Sequence, residues 1–114
     1  MEAITENDCK IAVYIWNILR TKIQVLWSWG FEDVRTIKNG VTFKVNGFLL
    51  KGKVEIIYNS ASDLFDISLY DNDGNLKKQI DDVYFDKLVD TIDSNVEYTG
   101  NDYEQRVKDA YQAI

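Results

Sequence analysis

Three glycine-containing pairs divide the middle of this chain of 114 residues: Asn39-Gly40, Asn46-Gly47 and Asp73-Gly74. Such pairs tolerate positive φ at both central positions of a type I′ turn, which is a tight connection between antiparallel strands. Segments of alternating polarity flank the pairs, and a polar loop from Asn59 to Ser62 separates two further segments. The spacing therefore predicts an antiparallel meander of four to five strands.

Alternation within these segments assigns one face of the sheet to the core. With the second pair as a two-residue turn, Val45 lies opposite Phe48, and with the third pair as a turn, Ile80 lies opposite Ile67. The predicted core face collects Val34, Thr36, Val41, Phe43, Val45, Phe48, Leu50, Val54, Ile56, Tyr58, Phe65, Ile67 and Leu69.

The other face of the predicted sheet is mixed, and it combines charged side chains with an apolar patch of Ile37, Leu49, Ile57, Leu64 and Tyr70. A solvated sheet face does not need a patch of this size. We expect a C-terminal helix of the same chain to cover it, because domains are built from packed layers. The alternative is a surface for a protein partner.

The N-terminal segment predicts a long helix. Thr5 and Asp8 have the spacing of a capping box, and Gly30 supplies a stop signal. A helix of about 24 residues is roughly 36 Å long, whereas five strands span roughly 24 Å. Part of the helix is therefore expected to overhang the sheet.

This helix has two apolar stripes, although a surface helix needs only one. It is therefore expected to be covered on two sides or shared with a partner. We take Trp16, Trp27 and Trp29 as candidate binding residues, with burial of all three in the core as the alternative. One stripe contains Ala12, Ile15, Trp16, Leu19, Ile23, Leu26 and Trp27, and the other contains Ile11, Tyr14, Ile18, Val25 and Trp29.

Two amphipathic helices are predicted after the sheet, from Asp82 to about Val96 and from Asn101 to Ile114. The first carries an acidic stripe at spacings of 4, 4, 3 and 4, which is formed by Asp82, Asp86, Asp90, Asp93 and Glu97. Like charges at these spacings destabilise a helix by about 0.2–0.5 kcal/mol per pair. The stripe is either a solvated face or a row of carboxylates that binds a basic partner.

Catalysis has little support, because the chain has no histidine, no Cys/His pair and no glycine-rich phosphate loop. We expect no enzymatic activity, no cofactor and no metal. The run from Asp71 to Asn75 begins like a calcium loop, but Leu76 stands where that loop requires glycine, and a hairpin turn is favoured. Cys9 is expected to be a small buried residue.

Charge and cysteine content indicate the setting. Residues 1–62 carry a net charge of +2 and residues 63–114 carry −8, which gives −6 overall and disfavours nucleic-acid binding. An alternative interpretation is a basic sheet face that binds single-stranded nucleic acid, formed by Arg35, Lys38, Lys44, Lys51 and Lys53 with Phe48. It is disfavoured, because Phe43 and Phe48 are assigned to the core face.

These observations predict a single α+β domain over residues 1–114 in a reducing cytoplasm, since a lone cysteine forms no internal disulfide. The acidic N-terminus argues against a signal peptide, and polar interruptions between Ile11 and Trp29 argue against a membrane span. The amino-acid composition, which lacks proline and histidine, is typical of proteins from bacterial or phage genomes. We expect a non-catalytic module that binds a protein partner or a second copy of itself. The alternative is an acidic inhibitor or nucleic-acid mimic that acts through the 82–97 stripe.

Overall fold

A computed structural model describes residues 3–47 and 49–96, which form a five-stranded sheet with helices on one face. The α+β class is confirmed. The elements in chain order are α1 (Glu6–Leu19), a 3-10 turn (Arg20–Lys22), α2 (Ile23–Ser28), β1 (Glu32–Ile37), β2 (Gly40–Asn46), β3 (Lys51–Asn59), β4 (Leu64–Asp71), β5 (Leu76–Val83), a second 3-10 turn (Phe85–Lys87) and α3 (Leu88–Val96).

The sheet is the predicted meander, with strand order β1-β2-β3-β4-β5 and antiparallel pairing throughout. Ile67 lies opposite Ile80, as the Asp73-Gly74 turn predicts. Asp71 accepts hydrogen bonds from the backbone N–H groups of Asp73 and Asn75, both at 2.9 Å. The hairpin interpretation of this run is confirmed.

The predicted two-residue turn at Asn46-Gly47 is wrong. Val45 pairs with Gly52, and the connection between β2 and β3 runs over residues 47–50. This loop is held by α3, because the N–H groups of Leu49 and Leu50 donate to the Val96 carbonyl at 2.8 and 3.3 Å. The pairing moves by an even number of residues, so the side chains of β2 and β3 keep their predicted faces.

The core lies on a single face of the sheet. Side chains of β2, β3 and β4 meet those of the helices in one apolar cluster, and many are fully buried. The cluster includes Ile15, Leu19, Leu26, Trp29, Val41, Phe43, Val45, Val54, Ile56, Phe65, Ile67, Leu69, Leu88, Val89, Ile92 and Val96. Val34 departs from its predicted burial and is 46% exposed. It follows Asp33, which has φ of +54°, in a bulge of the edge strand β1.

The predicted single long helix is interrupted. α1 ends at Leu19, and the backbone leaves helical geometry at Lys22, where φ is −128° and ψ is 53°. With 14 residues, α1 is roughly 21 Å long, which matches the width of the sheet and removes the predicted overhang. The break turns α2 so that Leu26 and Trp29 enter the core.

The helix predicted from Asp82 begins later. β5 continues to Val83, which pairs with Phe65 in β4, and α3 starts at Leu88. Asp82 has φ of +60°, and its N–H donates to the Asp66 carboxylate at 3.2 Å. The first residues of the predicted helix, Asp82 and Val83, therefore belong to strand β5. The second predicted helix, 101–114, lies outside the described residues.

Asp8 ties α1 to the first hairpin, and it is only 3% exposed. Its carboxylate accepts hydrogen bonds from the Thr5 backbone, the Thr5 hydroxyl and the Asn39 backbone, each at 2.9 Å. Thr5 in turn accepts from the Asp8 N–H, so the predicted capping box is confirmed. One carboxylate thus fixes both the start of the helix and the turn between β1 and β2.

We predict that Asp8→Asn destabilises the fold at neutral pH but not in acid. The backbone N–H of Thr5, followed by that of Asn39, lowers the pKa of Asp8 from its ordinary value of 3.8. This stabilisation is fully present above pH 3.8 and is lost as the pH falls through the lowered pKa. In urea unfolding, the gap between Asp8→Asn and wild type should close below that range. Glu6→Gln, which removes an exposed carboxylate in the same first turn, is the control with little effect, and a gap that persists in acid contradicts the prediction.

Candidate functional site

The structure does not form the predicted acidic stripe. Asp82 lies in β5, Asp86 in the 3-10 turn, and Asp90 and Asp93 in α3, while Glu97 lies outside the described residues. The five residues were predicted to share one helix, and the described four belong to three separate elements. The prediction of a continuous helical row is therefore wrong.

Two members of that set serve the fold. Asp90 forms a salt bridge with Lys22 at 3.1 Å, which joins α3 to the break after α1. Asp93 accepts a hydrogen bond from the indole Nε1 of the buried Trp29 at 2.9 Å. These contacts give both carboxylates an intramolecular role.

The three tryptophans have three different environments. Trp29 is fully buried and stacks on Phe43, with ring centroids 6.4 Å apart. Trp16 is half-buried and stacks on Phe31 at 5.6 Å. Trp27 is 71% exposed. Of the three candidate binding residues, the core therefore takes Trp29 and leaves Trp27 on the surface.

The outer face of the sheet is left uncovered by the described helices. α1, α2 and α3 each contribute buried apolar side chains to the core on the opposite face. The expectation that a C-terminal helix covers the outer face is wrong for α3, which packs with the core through Leu88, Val89, Ile92 and Val96.

One end of the outer face carries an apolar row, which ends at a carboxylate because Ile57 pairs with Asp66 on β4. Ile37, Gly40 and Ile57 lie opposite one another on β1, β2 and β3, and both isoleucines are half-buried. Leu64 pairs with Asn59, the next outward-facing residue after Ile57, and it is also half-buried. Three members of the predicted patch, Ile37, Ile57 and Leu64, therefore lie at this end of the outer face, and their role in binding stays a prediction.

The other two members lie elsewhere. Leu49 is in the loop between β2 and β3 and is 51% exposed, so it is not part of the sheet face. Tyr70 lies at the opposite end of the outer face, next to Lys53, whose Nζ is 5.1 Å from the ring centroid. The apolar patch is therefore smaller than predicted.

The other end of the outer face is basic. Lys44, Lys53 and Tyr70 lie opposite one another on β2, β3 and β4, and Lys51 is the next outward-facing residue of β3. Like charges directly opposite one another destabilise strand pairing, here on the order of 0.5 kcal/mol. The three lysines and Tyr70 line a concavity of about 480 Å³ together with Asn46, Asn72 and two carboxylates, Asp71 and Glu32, the second of which pairs with Lys44.

Carboxylates neutralise this basic end only in part. Lys44 lies 3.6 Å from Asp33, and Arg35 bridges the same carboxylate at 3.1 Å. The hydrogen bond from Arg35 is the main reason that the pKa of Asp33 is lowered. Within residues 3–47 and 49–96, neither Lys51 nor Lys53 has a carboxylate at salt-bridge distance.

Tyr70 lines the concavity at this end of the outer face and contacts Glu55 of β3. Its hydroxyl donates to Glu55 at 3.0 Å, and burial, followed by that hydrogen bond, raises the pKa of Tyr70 above its ordinary value. The phenol therefore stays neutral at physiological pH. The hydroxyl of Tyr70 hydrogen-bonds to the Glu55 carboxylate, and Glu55 is the acidic residue of β3 on the same face as Lys51 and Lys53.

A second concavity lies between α1 and the segment that leads into α3. It has a volume of about 420 Å³ and is lined mainly by Tyr14, Ile18, Phe85 and Val89. Phe85 is 59% exposed. Tyr14 and Ile18 belong to the second apolar stripe of the first helix, so the sequence pattern indicated this surface.

The edges of the sheet are poor templates for a further strand. β1 has its bulge at Asp33, and β5 has register shifts near both ends. Bulges and charged side chains on edge strands prevent pairing with other chains. We therefore place the candidate site on a face of the sheet.

In the described part of the chain, no three Cys, Asp or Glu side chains are grouped to hold a metal ion. Cys9 is exposed, which contradicts its predicted burial. Within the same residues, no helix has the length and apolar content that crossing a membrane requires.

Comparison with known proteins adds no information on function. No protein-family model matches the chain, and searches of curated proteins and of solved structures find no match.

Proposed function

We propose that this protein is a non-catalytic interaction module that docks a protein partner on the outer face of its sheet. The observation that carries the proposal is the placement of all described helices on the opposite face, which leaves uncovered an apolar row at one end of the outer face and three lysines at the other end. Interfaces between proteins combine an apolar centre with a charged rim. The row of Ile37, Gly40 and Ile57 supplies the first, and Lys44, Lys51 and Lys53 supply the second.

Charge complementarity identifies the chemistry of the partner. The basic end favours a partner segment that carries negative charge, and the apolar end favours aliphatic side chains next to it. The net charge of −6 on the whole chain repels acidic proteins elsewhere on the surface, so attraction is confined to this face.

The acidic-mimic alternative receives less support. Its carboxylates belong to several elements, and Asp90 and Asp93 contact Lys22 and Trp29 of the same chain. A mimic needs a continuous array of accessible charge. The groove beside Tyr14 and Phe85 is a second apolar surface, and photo-crosslinking from Tyr14 tests whether a partner binds there.

Site-specific photo-crosslinking tests the proposal in cells that express the chain naturally. A photoreactive residue at Thr42, on the outer face of β2, is expected to give one adduct of defined mass. Ile57→Glu should reduce that adduct about tenfold, because it places a charge in the apolar end. Val13→Glu, on the 57% exposed flank of α1, is the matched control and should leave the yield unchanged.

Three outcomes contradict the proposal. The first is an adduct whose yield is insensitive to Ile57→Glu. The second is an adduct formed from Tyr14 in the groove but not from Thr42. The third is an adduct of twice the chain mass, which identifies a second copy as the occupant. Unchanged thermal melting of Ile57→Glu establishes that a loss of yield does not reflect unfolding.

A further inference from the structure

We infer that the basic end of the outer face is a binding site for a phosphate monoester dianion, carried by a phosphorylated side chain of the partner. This inference rests on the proposed function for the origin of the phosphate. The binding chemistry itself belongs to Lys44, Lys51 and Lys53 and to the concavity of about 480 Å³ that they line.

Strand register brings the three ammonium groups to one place. Lys44 and Lys53 are directly opposite on neighbouring strands, and Lys51 is diagonal to Lys44. Side chains in such positions start about 5 Å and 7–8 Å apart. Three flexible lysine side chains on one face can therefore reach a common anion, which would relieve their mutual repulsion.

The surroundings favour a compact anion. Lys53 is held against the Tyr70 ring, and the Asn46 and Asn72 amides at the margin offer neutral hydrogen-bond donors. A phosphate monoester presents about two charges and three acceptor oxygens, which suits several lysines that act as point charges. A single carboxylate has one charge and two oxygens, so it forms fewer contacts with the three lysines.

Acidic neighbours disfavour an extended polyanion. Glu32 and Asp71 line the same concavity, and Asp33 and Glu55 lie close to it on the sheet. A nucleic-acid strand that crosses the sheet brings its successive phosphates against these carboxylates. A single phosphate group on a peptide contacts fewer of these carboxylates than an extended strand does, and the three lysines outnumber the two carboxylates, Glu32 and Asp71, that line the concavity.

The test uses the full chain and heteronuclear NMR of backbone amides and lysine side chains. The probes are inorganic phosphate, a serine peptide, its phosphoserine and glutamate forms, and an oligothymidine. We expect phosphate and the phosphoserine peptide to shift the signals of residues 44–46, 51–53 and 70–72. The phosphoserine peptide should bind at least about tenfold more tightly than its serine form.

Lysine variants then assign the site. Lys51→Gln and Lys53→Gln should each weaken phosphopeptide binding about fivefold, with steep salt dependence. Lys10→Gln, on exposed α1, makes the same charge change away from the site and should have no effect. Thermal melting without phosphate checks folding, and Lys53→Gln should melt no lower than wild type because it removes a like-charge pair.

Each remaining outcome overturns the inference. Tighter binding of the oligothymidine identifies a nucleic-acid surface. Equal affinity for the glutamate and phosphoserine peptides identifies a general acidic-peptide site. Shifts that persist in the lysine variants place the anion elsewhere. A crosslinked partner together with no phosphate response leaves the proposed function standing and removes only this inference.

Discussion

Replacing Trp29 by alanine is expected to lower the free energy of unfolding by about 3–5 kcal/mol. The side chain is fully buried, stacks parallel to Phe43 with an interplanar angle of 7°, and donates its indole N–H to Asp93. The substitution leaves a cavity where α2, β2 and α3 meet. It also removes the buried donor that Asp93 accepts from.

Chemical unfolding measured by circular dichroism checks this prediction, with two further variants that separate the contributions. Trp29→Phe keeps most of the volume and loses the hydrogen bond, so it should fall between wild type and Trp29→Ala. Trp27→Ala removes an exposed ring and should change stability by about 0.5 kcal/mol or less. Equal effects at Trp27 and Trp29 contradict the burial assigned here.

The contrast between these two tryptophans could not be predicted from periodicity. Both positions lie on apolar stripes when residues 6–29 are treated as one continuous helix. The break at Lys22 changes the rotation of α2 relative to α1, and this decides which ring enters the core. No local residue signalled the break, since Arg20, Thr21 and Lys22 are all compatible with a helix.

The sheet was predicted more fully, because a period of two is robust to errors in register. The predicted two-residue turn at Asn46-Gly47 was wrong, because Val45 pairs with Gly52 and not with Phe48 as that turn requires. The difference is even, so Val41, Phe43 and Val45 stayed on the core face. The longer connection depends on hydrogen bonds from the loop to Val96, and that contact joins distant parts of the chain.

The predicted boundary between β5 and α3 was wrong for a different reason. The segment from Asp82 has apolar residues at helical spacing, but Val83 pairs with Phe65 and extends the strand. Tertiary pairing therefore outweighed a local periodic pattern. The predicted acidic stripe depended on this boundary, and it was lost with it.

The candidate site was predicted only in part. Ile37, Ile57 and Leu64 followed from strand parity, which also placed Lys44, Lys51 and Lys53 on the same face. The basic cluster was discounted because Phe43 and Phe48 were assigned inward. The contribution of Tyr70 depends on a pairing with Lys53 that requires the correct register between β3 and β4.

Gly40→Ala is expected to destabilise the fold by about 3 kcal/mol, because the sheet has no room for a methyl group there. A Cβ built on Gly40 lies 1.9 Å from the carbonyl oxygen of Ile56 in the neighbouring strand. That atom belongs to the backbone, so β2 and β3 must separate to admit the methyl group. Their separation disturbs the row of Ile37, Gly40 and Ile57 on the outer face.

Gly74→Ala is the matched control. Gly74 has φ of +85° but no atom within 4 Å of a built Cβ, so its substitution should cost only about 1–2 kcal/mol from the left-handed backbone. Urea unfolding of the two variants separates steric exclusion from conformational strain. Equal destabilisation contradicts the close approach of β2 and β3. If the crosslink from Thr42 survives in folded Gly40→Ala protein, the apolar row is not the centre of the interface.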